Sequence, residues 1–192
     1  MITEAADVGK GTFFNYFASK ESVISYHFEM LFTRIAQSFE NQRAGLLPFQ
    51  SLPSDEALEL KEDTFWKLIL AMLQSLAEFE ARSHRFVRTL IALSQTNDIV
   101  RKENLRCKAQ IHEIATQMVL LEQSLGLVRS DFSPDTIARF LRNVYFSTMT
   151  EWAQGDEGDT QSLLEMLNAN FQLARDAVRP QKLHANETQT LC

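Results

Sequence analysis

Basic charge is scarce in this chain, and so are cysteine, glycine and proline. The 19 Lys and Arg residues are outnumbered by 25 Asp and Glu, and the formal net charge is −6. That balance argues against a protein that binds nucleic acid over its whole surface. The two cysteines, Cys107 and Cys192, lie far apart and form no CxxC pair. This excludes a disulfide-stapled scaffold and points to a reducing compartment, the cytoplasm. Six Gly and four Pro supply few turns, which disfavours an all-β architecture. No apolar run approaches the roughly 18–20 residues a membrane span needs. The opening Met-Ile-Thr-Glu-Ala-Ala-Asp carries acids where a secretory signal carries positive charge, and no apolar stretch follows it.

What is present is helical pattern from end to end, with 45% hydrophobic residues and 14 Phe to bury or to line a cavity. Residues 2–7 read as the last turns of a helix, broken around Gly9. Gly11-Thr-Phe-Phe-Asn-Tyr-Phe17 then makes a short one. Ser19 reads as an N-cap with Glu21 in the first turn, opening an amphipathic helix over about 20–43 that Gly45 and Pro48 stop. Residues 45–54 form the clearest linker. Beyond it, Phe65, Leu68, Ile69, Met72, Leu73, Leu76 and Phe79 recur at the spacing of one helix face. A break near Ser83 precedes a shorter helix carrying Phe86, Leu90 and Leu93. Asn97-Asp98 opens another long helix, with Ile111, Ile114, Ala115, Met118, Leu121 and Leu125 in register and Gly126 at its end.

Ser133-Pro134-Asp135 combines a cap, a proline at the first helical position and an acid behind it. The helix that follows places Ile137, Phe140, Leu141, Val144, Tyr145, Thr148 and Trp152 on one side. After the Gly155–Gly158 turn, a last helix carries Leu163, Leu164, Leu167, Phe171, Ala174 and Val178, and Pro180 ends it. These two helices make an antiparallel hairpin. At the end of the chain it suits pairing with its own copy across a two-fold axis, through Phe140, Val144, Trp152, Leu167 and Phe171. Periodicity does not choose between that and packing wholly inside one subunit. The chain is thus expected to be all-α, with a head and connecting helix over 1–44, a helical bundle over 45–180 and a disordered polar tail over 181–192.

The segment Ala6-Asp7-Val8-Gly9, Lys10-Gly11-Thr12, Phe13, Phe14, Asn15, Tyr16-Phe17 and Ser19-Lys20-Glu21 resembles the helix-turn-helix of the TetR family. The usual pattern there is Ala-Gly-Val-Ser, Lys-Gly-Thr, an apolar residue, Tyr, any residue, Tyr-Phe, then Ser-Lys-Glu. The resemblance implies a homodimer that binds a palindromic operator and releases it when a small molecule binds. It marks Lys10, Gly11, Thr12, Phe14, Asn15, Tyr16 and Lys20 as the candidate DNA-contacting residues. Gly11 permits close approach of a phosphate, and Thr12 brings a hydroxyl to the start of the recognition helix. Asn15 offers an amide whose natural partner is adenine. Tyr16 and Lys20 match positions that usually bond phosphates. Val8, Phe13 and Phe17 read as the head's small core.

Two letters depart from the pattern. Phe14 stands for Tyr and Gly9 for Ser, each losing on the order of 1 kcal/mol of hydrogen bonding. In the family another helix packs across these two, and the expectation is that it is missing here, leaving residues 1–18 poorly ordered and Met1 a misplaced start. The first 44 residues hold four basic side chains (Lys10, Lys20, Arg34, Arg43) against five acidic ones (Glu4, Asp7, Glu21, Glu29, Glu40). This favours the rival from another class: a dimerising small-molecule binder without DNA binding.

Enzyme motifs fail. Gly9-Lys10-Gly11-Thr12 does not complete a phosphate loop, since Glu4 stands where its first Gly belongs. His112-Glu113-Ile114-Ala115-Thr116 has Thr where a zinc-protease helix needs its second His. Neither catalytic set, metal site nor cofactor is called for. Trp66, His84, Arg88, Cys107, His112 and Tyr145 are the polar-tipped residues on otherwise apolar helices that could orient a hydrophobic effector. The competing reading is core packing for the aromatics and a surface ion pair for Arg88.

Overall fold

A computed structural model describes residues 10–17, 19–46, 55–82, 84–155 and 159–180. The expectations for residues 1–9, the linker from 47 to 54, the turn at 156–158 and the tail lie outside the described residues. Seven helices are described: α1 Lys10–Tyr16, α2 Lys20–Leu46, α3 Asp55–Ala81, α4 His84–Thr96, α5 Asp98–Ser124, α6 Pro134–Gln154 and α7 Thr160–Val178. The all-α expectation is met, with no strand among the described residues.

Local chemistry explains where the helices begin and end. Ser19 and Ser22 cap α2 reciprocally: the Ser22 amide donates to Ser19 Oγ and the Ser19 amide to Ser22 Oγ, both at 3.2 Å. This is a capping box with Ser at the third position in place of the usual acid. Gly45 lies inside α2, which runs to Leu46 rather than stopping near 43; a glycine that close to a helix end costs little. Asn97 Oδ1 accepts from the Ile99 and Val100 amides to start α5. Ser133 Oγ accepts from Thr136 at 3.2 Å to start α6, with Pro134 behind it. Asp159 caps α7 through the Ser162 amide.

The end of α5 is a Schellman motif. The Leu127 amide donates to Glu122 O, the Gly126 amide to Gln123 O, and Gly126 takes φ 72°.

Helix α5 is the hub. It packs against α2, α4 and α6, while α7 closes the bundle against α6 and α3. Ile24, Phe28, Leu31 and Ile35 of α2 form one buried stripe at helical spacing, facing Trp66, Ile69, Leu73, Leu76 and Ala77 of α3 in a single core. The same core takes Val100, Cys107, Ile111 and Val119 from α5. Trp152, Leu163, Leu167 and Phe171 complete it from the closing hairpin. Trp152 Nε1 donates to Asp159 O at 3.0 Å, and Asn170 Nδ2 to Thr148 Oγ1 at 2.8 Å, locking α7 onto α6.

Candidate nucleic-acid interface and ligand cavity

In the recognition segment, Gly11, Thr12, Asn15 and Tyr16 are exposed, Tyr16 to 81%. A Cβ added at Gly11 would meet nothing within 4 Å, so the surface there is open. Phe17 turns inward and packs edge-on against Tyr26 of α2, with ring centroids 5.9 Å apart. The side chains of Lys10, Phe13, Phe14 and Lys20 lie outside the described residues. An unusually exposed tyrosine beside an exposed amide and hydroxyl has the chemistry to meet phosphates and base edges.

The bundle contains an apolar cavity of about 90 Å³ between α2, α3, α5, α6 and α7. Ile35 is its contact with the helix that follows the recognition segment. Ile69, Leu73 and Leu76 form one wall, Ile111, Met118 and Val119 another, and Leu141 and Phe171 the rest. Three polar residues reach it: Glu122, Arg142 and Tyr145. Glu122 is 2% exposed. Burial pushes its carboxyl up to about 8, and no hydrogen bond or ion pair reaches it among the described residues. The Arg142 guanidinium donates to Asn143 Oδ1 at 3.2 Å.

Tyr145 stands between this cavity and a more polar one of about 160 Å³, bordered by Glu80, Ser94, Asn104 and Lys108. Its hydroxyl is buried without a partner among the described residues. Burial, then the nearby Glu80 and Cys107, hold that phenol well above the ordinary range. His27 Nε2 lies 3.3 Å from Glu80 Oε2, an ion-pair distance without the angle of a hydrogen bond. The imidazole is stacked on Phe79 and met edge-on by Phe86. Burial lowers the Lys108 ammonium, which sits 4.9 Å above the Phe146 ring.

Of the six residues singled out as pocket candidates, the structure brings only Tyr145 to the apolar cavity. Trp66 is core, with the Arg175 guanidinium 5.8 Å above its ring. His84 packs edge-on against Trp152 at 4.7 Å. Arg88 is exposed. Cys107 is a free, buried thiol bordering a groove with Phe28 and Arg106. Burial, followed by Glu80, pushes that thiol up to about 12. His112 Nε2 is 2.7 Å from Asp135 Oδ1, which also pairs with Arg139. Arg139 and then His112 hold the Asp135 carboxyl below its ordinary range.

Sequence reasoning missed Glu122. An acid falling in register with Ile111, Ala115 and Met118 on the buried side of α5 was the available signal.

The residues expected at a dimer interface divide. Trp152, Leu167 and Phe171 are buried in the chain's own core and present nothing outward. This corrects their assignment, because helix periodicity cannot say which neighbour an apolar face meets. Phe140 is 41% exposed and Val144 half-buried.

Taken together, a short exposed helix leading through a capped turn into a long helix, with a cavity-bearing bundle behind it, is an all-α fold that a solved transcriptional repressor shares. The crystal structure of Thermus thermophilus FadR, a TetR-family transcriptional repressor in complex with lauroyl-CoA, matches 96% of this chain and 86% of its own, with a TM-score of 0.58 and 24% identity. In sequence, the chain is 27% identical over 140 residues to the HTH-type transcriptional repressor DhaR of Mycobacterium sp. strain GP1. That alignment takes in 73% of this chain and 64% of DhaR. No protein-family model matches. Among the described residues, no group of three or more acids, histidines and cysteines converges as a metal site, and no helix is long and apolar enough to cross a membrane.

Proposed function

We propose that this protein is a cytoplasmic, ligand-responsive DNA-binding transcriptional regulator, a repressor that leaves its operator when a small, mainly hydrophobic molecule enters the bundle. It works as a homodimer and carries no catalytic step. The observation that carries this reading is the double role of α2. That helix follows directly on the exposed recognition segment and contributes Ile35 to the wall of the apolar cavity. A ligand that binds one position of α2 better than another shifts the population of head positions. Half-sites lie about 34 Å apart, so a small rotation of α2 in each protomer spoils simultaneous entry of both heads into the groove. The sequence likeness to DhaR and the fold shared with FadR, which is described in complex with lauroyl-CoA, support the same reading.

The test is fluorescence anisotropy on duplexes flanking the protein's own gene, across a salt series. It compares the chain with a version extended by the in-frame codons upstream of Met1. Binding to one duplex at least tenfold tighter than to a scrambled one is expected, weakening steeply with salt. Asn15→Ala should relax base preference at one position per half-site, at a cost of about 1–3 kcal/mol. Gly11→Ala should weaken binding without lowering the melting temperature, since the added methyl faces open space. Failure of both polypeptides to prefer any duplex would sink the regulator and leave the dimerising ligand binder, favoured by the few basic side chains of residues 1–44.

A further inference from the structure

We propose that the apolar cavity takes a small amphiphile with a hydrocarbon body and one basic nitrogen, an alkyl or arylalkyl amine, and that Glu122 is its counter-charge. The inference rests on the reading of this cavity as the effector site and names the chemistry of its ligand. Two observations carry it. Three of the five helices around the cavity present only apolar side chains: the contributions of α2, α3 and α7 (Ile35, Leu73, Phe171 and their neighbours) include nothing that titrates. Into this setting α5 brings a carboxyl that is 2% exposed and has no bonding partner among the described residues.

A buried acid is retained at a cost unless something pairs with it. Here no cation is bonded to the carboxyl among the described residues. Arg142 and Tyr145, both on α6, are the other titratable residues at the cavity. The Arg142 guanidinium bonds Asn143, and the charged or titrating groups felt by Tyr145 are Glu80 and Cys107. A ligand presenting only a carbonyl or a hydroxyl would be served as well by an amide or hydroxyl side chain at position 122. What an acid adds is the capacity to hold positive charge. A carboxylate ligand would meet that acid with no cation bonded to it. The cavity, at about 90 Å³, is smaller than the roughly 150 Å³ dry cavity that holds benzene, so the hydrocarbon body is short or enters by parting the helices.

The protons balance as follows. In the empty cavity at neutral pH the carboxyl keeps its proton, because burial holds it up at about 8. An alkylammonium ion arrives charged. On binding, the O–H bond of Glu122 breaks, its proton goes to bulk water, and a carboxylate–ammonium pair remains. One proton is released per ligand bound, so affinity rises by up to about tenfold per pH unit below pH 8 and levels above it.

The experiment is calorimetric titration of the full chain with butylamine, hexylamine and octylamine against the alcohols and carboxylates of the same chain lengths. It is run at two pH values below 8, each in two buffers of different ionisation enthalpy. The amines are expected to bind roughly tenfold or more tighter than either counterpart, with one proton released. Glu122→Gln should bring the amines down to the level of the alcohols and leave alcohol binding unchanged. Equal or tighter binding of the carboxylates or alcohols, no amine binding, or no proton release overturns the proposal. Should the variant not fold, the comparison of three ligand classes on the unaltered chain decides by itself. Amine binding that leaves DNA affinity untouched would remove the regulator reading and keep the counter-charge. Release from DNA by molecules that carry no nitrogen and bind better than amines would do the reverse.

Discussion

Glu122 also governs how stability depends on pH. An acid whose carboxyl is raised by burial from 4.5 to about 8 is protonated in the folded chain at neutral pH and ionised in the unfolded one. Its contribution is fully present below pH 4.5 and is lost as the pH climbs toward 8, at about 1.4 kcal/mol per pH unit. Glu122→Gln removes the titrating proton but keeps the shape. The expected outcome is therefore a difference in unfolding free energy between the two proteins that changes across pH 5–8 and is flat above, read from urea melts at a series of pH values. A difference constant with pH would mean the carboxyl is hydrated in the folded state. At this scale the sequence was least legible. Tyr145 was reachable as a polar-tipped residue on an apolar face, and Glu122 on the same logic. His84, Arg88 and His112 satisfied that logic equally well yet lie elsewhere, because a helical repeat gives a side chain's angle around its own axis and not the neighbour it meets.

Helix boundaries were far more legible, because their causes are local. Asn97, the Ser133-Pro134-Asp135 start and the Gly126 stop all act within a few residues of the sequence that encodes them. The stop at Gly126 has the sharpest consequence. At φ 72° an added Cβ is strained, and the left-handed conformation costs a non-glycine residue roughly 1–2 kcal/mol. Gly126→Ala should destabilise the chain by about that amount and lower its melting temperature, whereas Gly155→Ala, with φ −65°, should not carry the same conformational penalty. A thermal melt of the two variants side by side checks this. If Gly126→Ala melts with the unaltered chain, the α5 end has an alternative closure. The buried stripes of α3 and α7 were also read at their true spacing, since that period is a property of one helix alone. The extension of α2 through Gly45 was not, because a glycine near a helix end permits either outcome.

Across the whole molecule, the question left by periodicity was whether the α6–α7 hairpin faces its own core or a second copy, and burial separates the residues that could serve the two tasks. Trp152, Leu167 and Phe171 fill the core. On the opposite side of α6, Thr136, Phe140, Asn143 and Ser147 are exposed at helical spacing, and on α7 Ala169 and Leu173 are exposed, Leu173 to 71%. An apolar residue that exposed, on a face of small or polar neighbours, suits an isologous contact between two hairpins. Two substitutions then separate the tasks. Leu173→Glu should leave the helical spectrum intact and shift the protein toward monomer in sedimentation, at a cost to dimerisation of about 1–3 kcal/mol. Trp152→Glu buries an unpaired charge and removes the bond to Asp159 O, so it should unfold the chain or lower its melting point steeply. If Leu173→Glu sediments as the unaltered protein does, this face carries no dimer contact. A monomer produced by Leu173→Glu that also loses operator binding, with its ligand affinity unchanged, would tie the hairpin to the spacing of the two heads. Ligand affinity and DNA affinity would then be separable properties of one fold, joined only through α2.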